Sequence, residues 1–480
     1  MTRAHFIALL PLIIPAVAAI AVLLQTALRR SSAAAAVLTL AGLILAIASL
    51  PAAWQIAPLR FTSLLLVDRF AILYMGLLFA AAAATALLSY GYLSQYDGNR
   101  EEYYILLLLA VTGSGVLTAS DHFAAFFLGL EILSVALYAL VAYPHLTEAH
   151  IEAGVKYLIL AAVSSAFVLF GMALIYAASG TMSFGQFGTL LHRLHPAGAR
   201  LLMVAGAGLL VVGIGFKLAV VPFHLWTPDV YQGAPAPVTA FVATVSKGAA
   251  LALLIRIFPP SALDAGGPLY LAVALIAAAS MIAGNLLALL QENVKRILAY
   301  SSIAHMGYLL TAYLAGGALA VQAITFYLIA YFVTTLGAFG TIAVLSGPQR
   351  EAEHLEDYRG LFRRRPWLAG VFTAMLLSLA GIPLTAGFIG KFYLVLAGVG
   401  AALWALVIIL VVTSTIGLYY YLRIIVTLFA QPAPPQEDES RPFLPLPLTG
   451  ALTLAALTVL LVWLGVVPAP VVDFIRAALG

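Results

Sequence analysis

Runs of about twenty apolar residues recur from one end of this chain to the other, each long enough to cross a hydrocarbon layer of about 30 Å. In lipid the backbone must satisfy its own polar groups, which leaves helices and closed barrels as spanning forms. A barrel reads as short segments of alternating polarity, whereas these runs are continuous. The fold class is therefore all-α and polytopic. The balance of residues agrees, with 64% hydrophobic and only 9% charged, against roughly 25% charged in soluble domains.

Fourteen spans are expected, at roughly 5–28, 33–57, 68–92, 103–120, 122–143, 154–178, 200–227, 236–258, 268–290, 294–314, 319–346, 366–398, 401–429 and 446–468. The N-terminal run is too long for a signal-peptide core and no small-residue cleavage site follows it, so it reads as a retained first span. Three longer polar segments lie at 179–199, 347–365 and 430–445, the last a Pro-rich acidic linker, QPAPPQEDESRPFLP. An even number of spans puts both termini on one side. Alternating the loops gives one face the larger share of basic residues, including Arg29, Arg30, Lys295, Arg296 and the RGLFRRRPW cluster at 359–367. The positive-inside rule makes that face cytoplasmic, so both termini are expected in the periplasm of a bacterium, with the chain in its plasma (inner) membrane.

Two spans are long and interrupted. The seventh carries glycines before Lys217 and Pro222 after it; the twelfth breaks at Gly381-Ile-Pro383 and Gly387, just before Lys391. Proline removes a backbone hydrogen bond and glycine loosens the helix, and the freed carbonyls must face protein or a water-filled cavity. Two broken helices five spans apart fit the inverted repeats of secondary transporters. The expected organisation is a single membrane domain over 1–480: peripheral spans 1–3 (1–100), a first repeat of spans 4–8 (101–260), a second of spans 9–13 (261–430), then the linker and span 14 (431–480).

Charges inside the apolar runs point to function. Lys217, Lys247 and Lys391 each lie within such a run, and so does Glu131, in FFLGLEILSVALYAL. A charge near the bilayer centre costs about 2.5–3.5 kcal/mol on insertion scales, and such residues usually mark ion or proton routes. A buried lysine has a tunable proton affinity, and a carboxylate that approaches and withdraws lets it capture and release a proton. Glu131 is the expected partner of Lys217 at the intake, Lys247 the central carrier, and Lys391 the group toward the exit. His305, with Ser301 and Ser302 one turn away, is a tentative link toward Lys391, alongside a packing role. Lys156, at the start of the sixth span, is a tentative member or a snorkelling anchor. Lys295 and Arg296, after Glu292, read as an interfacial charge cluster. His224 and Asp229 are expected in a stiff loop joining spans seven and eight.

Other chemistry finds little support. The +4 net charge is scattered, with no basic stripe suited to nucleic acid. Cysteine is absent, which excludes disulfides and thiolate-held clusters in this chain. The histidines form no HExxH-like pattern, and His192 with His195 falls in an expected loop. Any redox chemistry therefore belongs on another chain, unless this one merely helps bind a lipid-soluble substrate.

The run GFKLAVVPFHLWTPDVYQGAPAPVTAFVATVSKGAA resembles the seventh and eighth helices of the antiporter-like subunits of respiratory complex I, relatives of Mrp antiporter subunits. GVKYLILAAVSSAFVLFGMALIY, NVKRILAYSSIAHMGYLL, YRGLFRRRPWLAGV and SLAGIPLTAGFIGKFYL narrow the resemblance to the N-type subunit of NADH-quinone oxidoreductase, over about residues 100–430. The resemblance implies a proton-translocating membrane-arm subunit, coupled to NADH oxidation and quinone (ubiquinone or menaquinone) reduction elsewhere in the complex. It places the family's fifth-helix glutamate on Glu131, its seventh- and eighth-helix lysines on Lys217 and Lys247, and its twelfth-helix lysine on Lys391. It implies no cofactor in this chain, FMN and iron–sulfur clusters being in other subunits, and it implies neighbouring membrane-arm subunits and the lipid bilayer as partners. The alternative is an Mrp-like cation/proton antiporter subunit without a redox partner.

Overall fold

The computed structural model describes all residues except 1, 97, 144–147, 186–196, 261–262, 264–265, 348–349, 432–445 and 480. His192, His195 and nearly all of the acidic linker lie outside the described residues. Among those described, thirteen helices are long and apolar enough to cross a membrane, and two shorter apolar ones stand where the twelfth span was expected.

In chain order these are α1 (Arg3–Leu28), α2 (Ser32–Ile56), α3 (Arg69–Leu93), α4 (Glu101–Ala119), α5 (Phe123–Ala142) and α6 (Glu148–Ser179). Next are α7 (Ala197–Leu218) and, after a break, the short α8 (Trp226–Gly233). Then come α9 (Ala236–Ile257), α10 (Pro268–Leu289), α11 (Val294–Ala315) and α12 (Gly317–Leu345). After a short α13 (Leu361–Arg364) come two shorter apolar helices separated by a break, α14 (Pro366–Ala380) and α15 (Ala386–Gly400). The chain ends with α16 (Trp404–Phe429), α17 (Leu448–Val466) and α18 (Ala469–Leu479).

Side chains on the connections fix where spans begin. Asp68 accepts from the Ala71 amide (2.8 Å), capping α3, and its two oxygens also take Arg256 at the end of α9 (2.7 and 3.2 Å). One carboxylate thereby satisfies an orphan donor of a helix start and pins two spans together. Asn293 caps α11 in the same way, through the Arg296 amide at 3.0 Å.

Helices α9, α11 and α12 are enclosed almost entirely by the others, while α6, α10 and α16 turn large apolar side chains outward. The enclosed helices carry Lys247, Ser302, His305 and Tyr331. The polar groups are thus drawn to the middle of the bundle, the reverse of a soluble protein. Lipid offers them no hydrogen bond, so other helices must.

Three features lie outside the expected organisation. A two-stranded hairpin, β1 (Leu59–Phe61) and β2 (Leu65–Val67), with Arg60 opposite Leu66, joins α2 to α3. Helix α9 contains a π turn over Val242–Ser246, immediately before Lys247. The amphipathic α18 follows α17, with Ile475 and Ala478 buried. Asp229 is a correction: it lies in the helical turns of α8 rather than in a loop, because the chain turns helical again at Trp226.

Candidate functional site

The breaks of the two split helices position two of the lysines. α14 ends on Gly381, whose φ of +85° is the left-handed conformation that glycine tolerates. A side chain at Gly387 would place its Cβ 1.9 Å from the Ser378 carbonyl oxygen, so the second half-helix approaches the first only because this residue is glycine. The carbonyls released at that end are met by Lys391. Its ammonium donates to Leu379 O (2.8 Å), Ala380 O (2.9 Å) and Ser414 Oγ (2.7 Å), lies 5.5 Å from the Tyr308 ring centroid, and is buried. A cation at a helix C-terminus answers both the orphan carbonyls and the dipole.

Lys217 sits one residue from the end of α7 and is also buried, so it does not snorkel to the surface. It donates to Ser134 Oγ (2.8 Å) and Tyr157 OH (3.1 Å), with the Tyr157 ring centroid at 5.3 Å. The expected Glu131–Lys217 ion pair is not closed. Glu131 accepts from Ser165 Oγ at 2.5 Å instead, and no oxygen of Glu131 comes within 4 Å of the ammonium among the described ion pairs. Ser134 lies one turn beyond Glu131 on the same face of α5, so a hydroxyl stands in the carboxylate's place.

Lys247 is fully buried. Its ammonium donates to Ser302 Oγ at 2.7 Å and lies 5.5 Å from the Tyr231 ring centroid. Ser302 also bonds Tyr331 OH at 2.6 Å. One turn on, His305 is held between two hydroxyls: Nδ1 to Tyr327, and Nε2 to Tyr421 at 3.2 Å, which in turn bonds Ser301. The expected serine–histidine link therefore exists as two clusters, Lys247–Ser302–Tyr331 and Ser301–Tyr421–His305–Tyr327, whose rings meet where His305 packs 5.5 Å from Tyr331. Among the described residues no side-chain hydrogen bond joins Lys217 to Lys247 or His305 to Lys391. A cavity of about 10 Å³ lies against Lys217, and its other lining residues, among them Leu117, Leu130 and Leu253, are apolar.

Lys156 stands apart. Its side chain is 44% exposed and pairs with Glu152 (2.7 Å) and Asp229 (3.0 Å), while Arg296 takes the other Asp229 oxygen at 2.8 Å. Its neighbour Lys295 behaves in the opposite way. It is fully buried, salt-bridged to Glu351 and bonded to Ala234 O at 2.7 Å, so the expected interfacial cluster is split into a wet half and a dry half.

Sequence reasoning missed the hydroxyls. Ser134 and Tyr157 hold Lys217, Tyr327 and Tyr421 hold His305, Ser414 holds Lys391, and Tyr331 braces the Ser302 that holds Lys247, yet in sequence they are ordinary tyrosines and serines of membrane helices. The one signal for them is helical spacing: Glu131 with Ser134, Ser302 with His305, and Tyr327 with Tyr331 are three or four residues apart and share faces.

Residues 120–417 match the family described as NADH:quinone oxidoreductase/Mrp antiporter, TM. The chain is 50% identical to NADH-quinone oxidoreductase subunit N of Ectopseudomonas mendocina, over 99% of this chain and 97% of the relative. It is 46% identical to subunit N of Methylococcus capsulatus, over 98% and 95%. Among solved structures it is similar to a chain of respiratory complex I from Thermus thermophilus with bound aureothin, with 37% identity, a TM-score of 0.83, and 98% of this chain and 100% of that one covered. With its buried charges spread over the same matched region, the chain belongs to the NADH:quinone oxidoreductase/Mrp antiporter family of membrane subunits, in its subunit N branch.

Proposed function

We propose that this chain is a proton-translocating membrane-arm subunit of an NADH:quinone oxidoreductase, itself without redox chemistry and placed in a bacterial plasma membrane with both termini on the periplasmic side. The observation that carries the reading is the line of enclosed protonatable groups, Lys217, Lys247, His305 and Lys391, each held by hydroxyls or carbonyls instead of carboxylates. A static ion pair would lock a charge in place, whereas neutral partners leave a lysine able to exchange its proton. In this reading Glu131 is a counter-charge that moves between Ser165 and Lys217. Lys247 is the central carrier, and Lys391 hands protons toward the far side. Lys156 balances Asp229 at the surface and has the weakest claim to carry protons.

The two split helices, five spans apart and each with a lysine at its break, support two inverted five-helix repeats, spans 4–8 and 9–13, with spans 1–3 and 14 outside them. The outward apolar faces of α6, α10 and α16 suit lipid and the neighbouring membrane-arm subunits. Each proton moved against the membrane potential requires ~2.3 kcal/mol per 100 mV, and nothing in this chain supplies it. The driving force has to arrive through contacts with subunits that handle NADH and quinone.

The test is NADH-driven proton pumping in inverted membrane vesicles carrying Lys217→Ala in an assembled complex. Pumping and NADH–quinone turnover falling together is the expected result. Unchanged pumping would return the chain to a structural or stand-alone antiporter role.

A further inference from the structure

In the line of buried groups described above Lys247 is fully enclosed, and a second buried charge cluster lies on the arginine-rich side of it. Lys295, at the start of α11, is fully enclosed, while the side chain of its partner Glu351 keeps 11% of its surface exposed. Glu351 is held on every side. One oxygen accepts from Tyr92 OH (2.5 Å) and from the Ala236 amide (2.9 Å), and the other takes Lys295. The Lys295 ammonium also donates to Ala234 O, so the pair grips the joint between α8 and α9, the helix that carries Lys247.

Two further facts connect this pair to the interior. Lys295 and Ser302 are seven residues apart on α11, two turns along one face and about 10 Å, and Ser302 is the residue on which Lys247 rests. Tyr231, three residues before Ala234, is fully buried, and its ring packs against Lys247. Its hydroxyl makes no hydrogen bond of ordinary geometry among the described residues, and the Ser302 hydroxyl lies close to it. A buried hydroxyl without a well-formed bond calls for an explanation, and an ordered water is one of the standard ones.

We propose that Glu351 and Lys295 form a proton-loading pair that takes protons from the arginine-rich face and delivers them past the Tyr231 hydroxyl to Lys247. The proposal rests on the proton-translocation reading above. A hydronium ion gives its proton to the Glu351 carboxylate, leaving water. The neutral acid no longer offsets the enclosed ammonium, and an unpaired buried charge is the costly state. Lys295 therefore releases a proton inward, through water at Tyr231, onto the amine of Lys247. The Glu351 carboxyl then passes its proton to the Lys295 amine. The pair returns to its starting state with one proton moved inward.

The experiment uses the assembled complex in inverted vesicles and reads protons pumped per NADH oxidised. Glu351→Gln keeps the shape and the Tyr92 and Ala236 contacts but removes the ionisable proton. The double variant Glu351→Gln/Lys295→Met removes both charges together, so no lone charge destabilises the fold. Both are expected to lower protons pumped per NADH, and the pumping rate is expected to fall about a hundredfold, the low end for losing a positioned proton-transfer group. Tyr231→Phe is expected to slow pumping with a changed solvent deuterium isotope effect, which a packing role would leave alone. Normal pumping by the double variant overturns the proposal, whatever the single variant does. Lys247→Ala is the control: if it pumps normally, the translocation reading itself fails, whereas pumping lost there but kept in the double variant removes only the loading pair.

Discussion

Lys247 and Lys295 are both fully buried lysines in the middle of one bundle, yet replacing each by methionine should move stability in different directions. Lys295 is salt-bridged to Glu351. Lys295→Met would leave that carboxylate enclosed with only Tyr92 and the Ala236 amide as donors, and breaking a buried pair by removing one partner costs about 3–5 kcal/mol. Lys247 has no carboxylate partner. Lys247→Met loses one hydrogen bond to Ser302, worth about 1.5–3 kcal/mol when the donor is charged, and a ring contact with Tyr231 of about 0.5–2 kcal/mol. Against this it removes the burial penalty of an ammonium, several kcal/mol after relaxation. No orphan is created, because Ser302 keeps its 2.6 Å bond to Tyr331. The Lys247 variant should therefore unfold within about 1 kcal/mol of the native chain or be more stable. The two variants should differ by about 2 kcal/mol or more. Denaturant unfolding of the full chain in detergent, followed by tryptophan fluorescence, measures both. If Lys247→Met destabilises as much as Lys295→Met, Lys247 is a structural charge with a partner, and its assignment as a proton carrier loses its physical basis.

Two other substitutions probe the frame around the site. Gly387→Ala puts a methyl 1.9 Å from the Ser378 carbonyl oxygen, a backbone contact that no rotamer relieves, so it should destabilise by at least about 2 kcal/mol and lower the yield of assembled complex; a normal unfolding midpoint would refute the tight α14–α15 approach. Asp229→Asn removes the partner of Lys156 and Arg296, but Asp229 is 38% exposed, so after solvent screening the loss should be about 1 kcal/mol or less, with pumping retained. A collapse of pumping in that variant would mean that Lys156 or Arg296 belongs to the proton route after all.

The sequence shows the spans and the lysines for the same reason. In lipid the background is so uniformly apolar that continuous runs define helices, and any charge within them stands out. The breaks at Pro222 and at Gly381–Pro383 were legible because proline and glycine announce themselves. What stayed hidden depends on three-dimensional pairing. Nothing in the residues Val242–Ser246 announces a π turn, since it arises from how α9 packs. Tyr331 and Tyr421 look like any membrane tyrosine until Ser302 and His305 are found against them. The start of α18 was obscured by prolines at 468 and 470, although Val471, Val472, Ile475 and Ala478 carry the helical spacing of a buried stripe.

Glu351 shows the limit most clearly. It sits in a polar connection among other acids and arginines, where a charge carries no information in a one-dimensional reading. Only the fold brings it beneath Lys295, Tyr92 and the Ala236 amide, and only then does the difference from Glu353 and Glu356, its neighbours in sequence, have a physical meaning. The same contrast separates Lys156 from Lys295. Both have an acidic partner, but one pair faces solvent and exchanges freely, while the other encloses its ammonium next to the helix of Lys247. A charge gains a role in moving protons from what surrounds it: hydroxyls and carbonyls that hold it without fixing its proton, and a neighbour that can be neutralised. Lys217, Lys247 and Lys391 meet the first condition, and the Glu351–Lys295 pair meets the second.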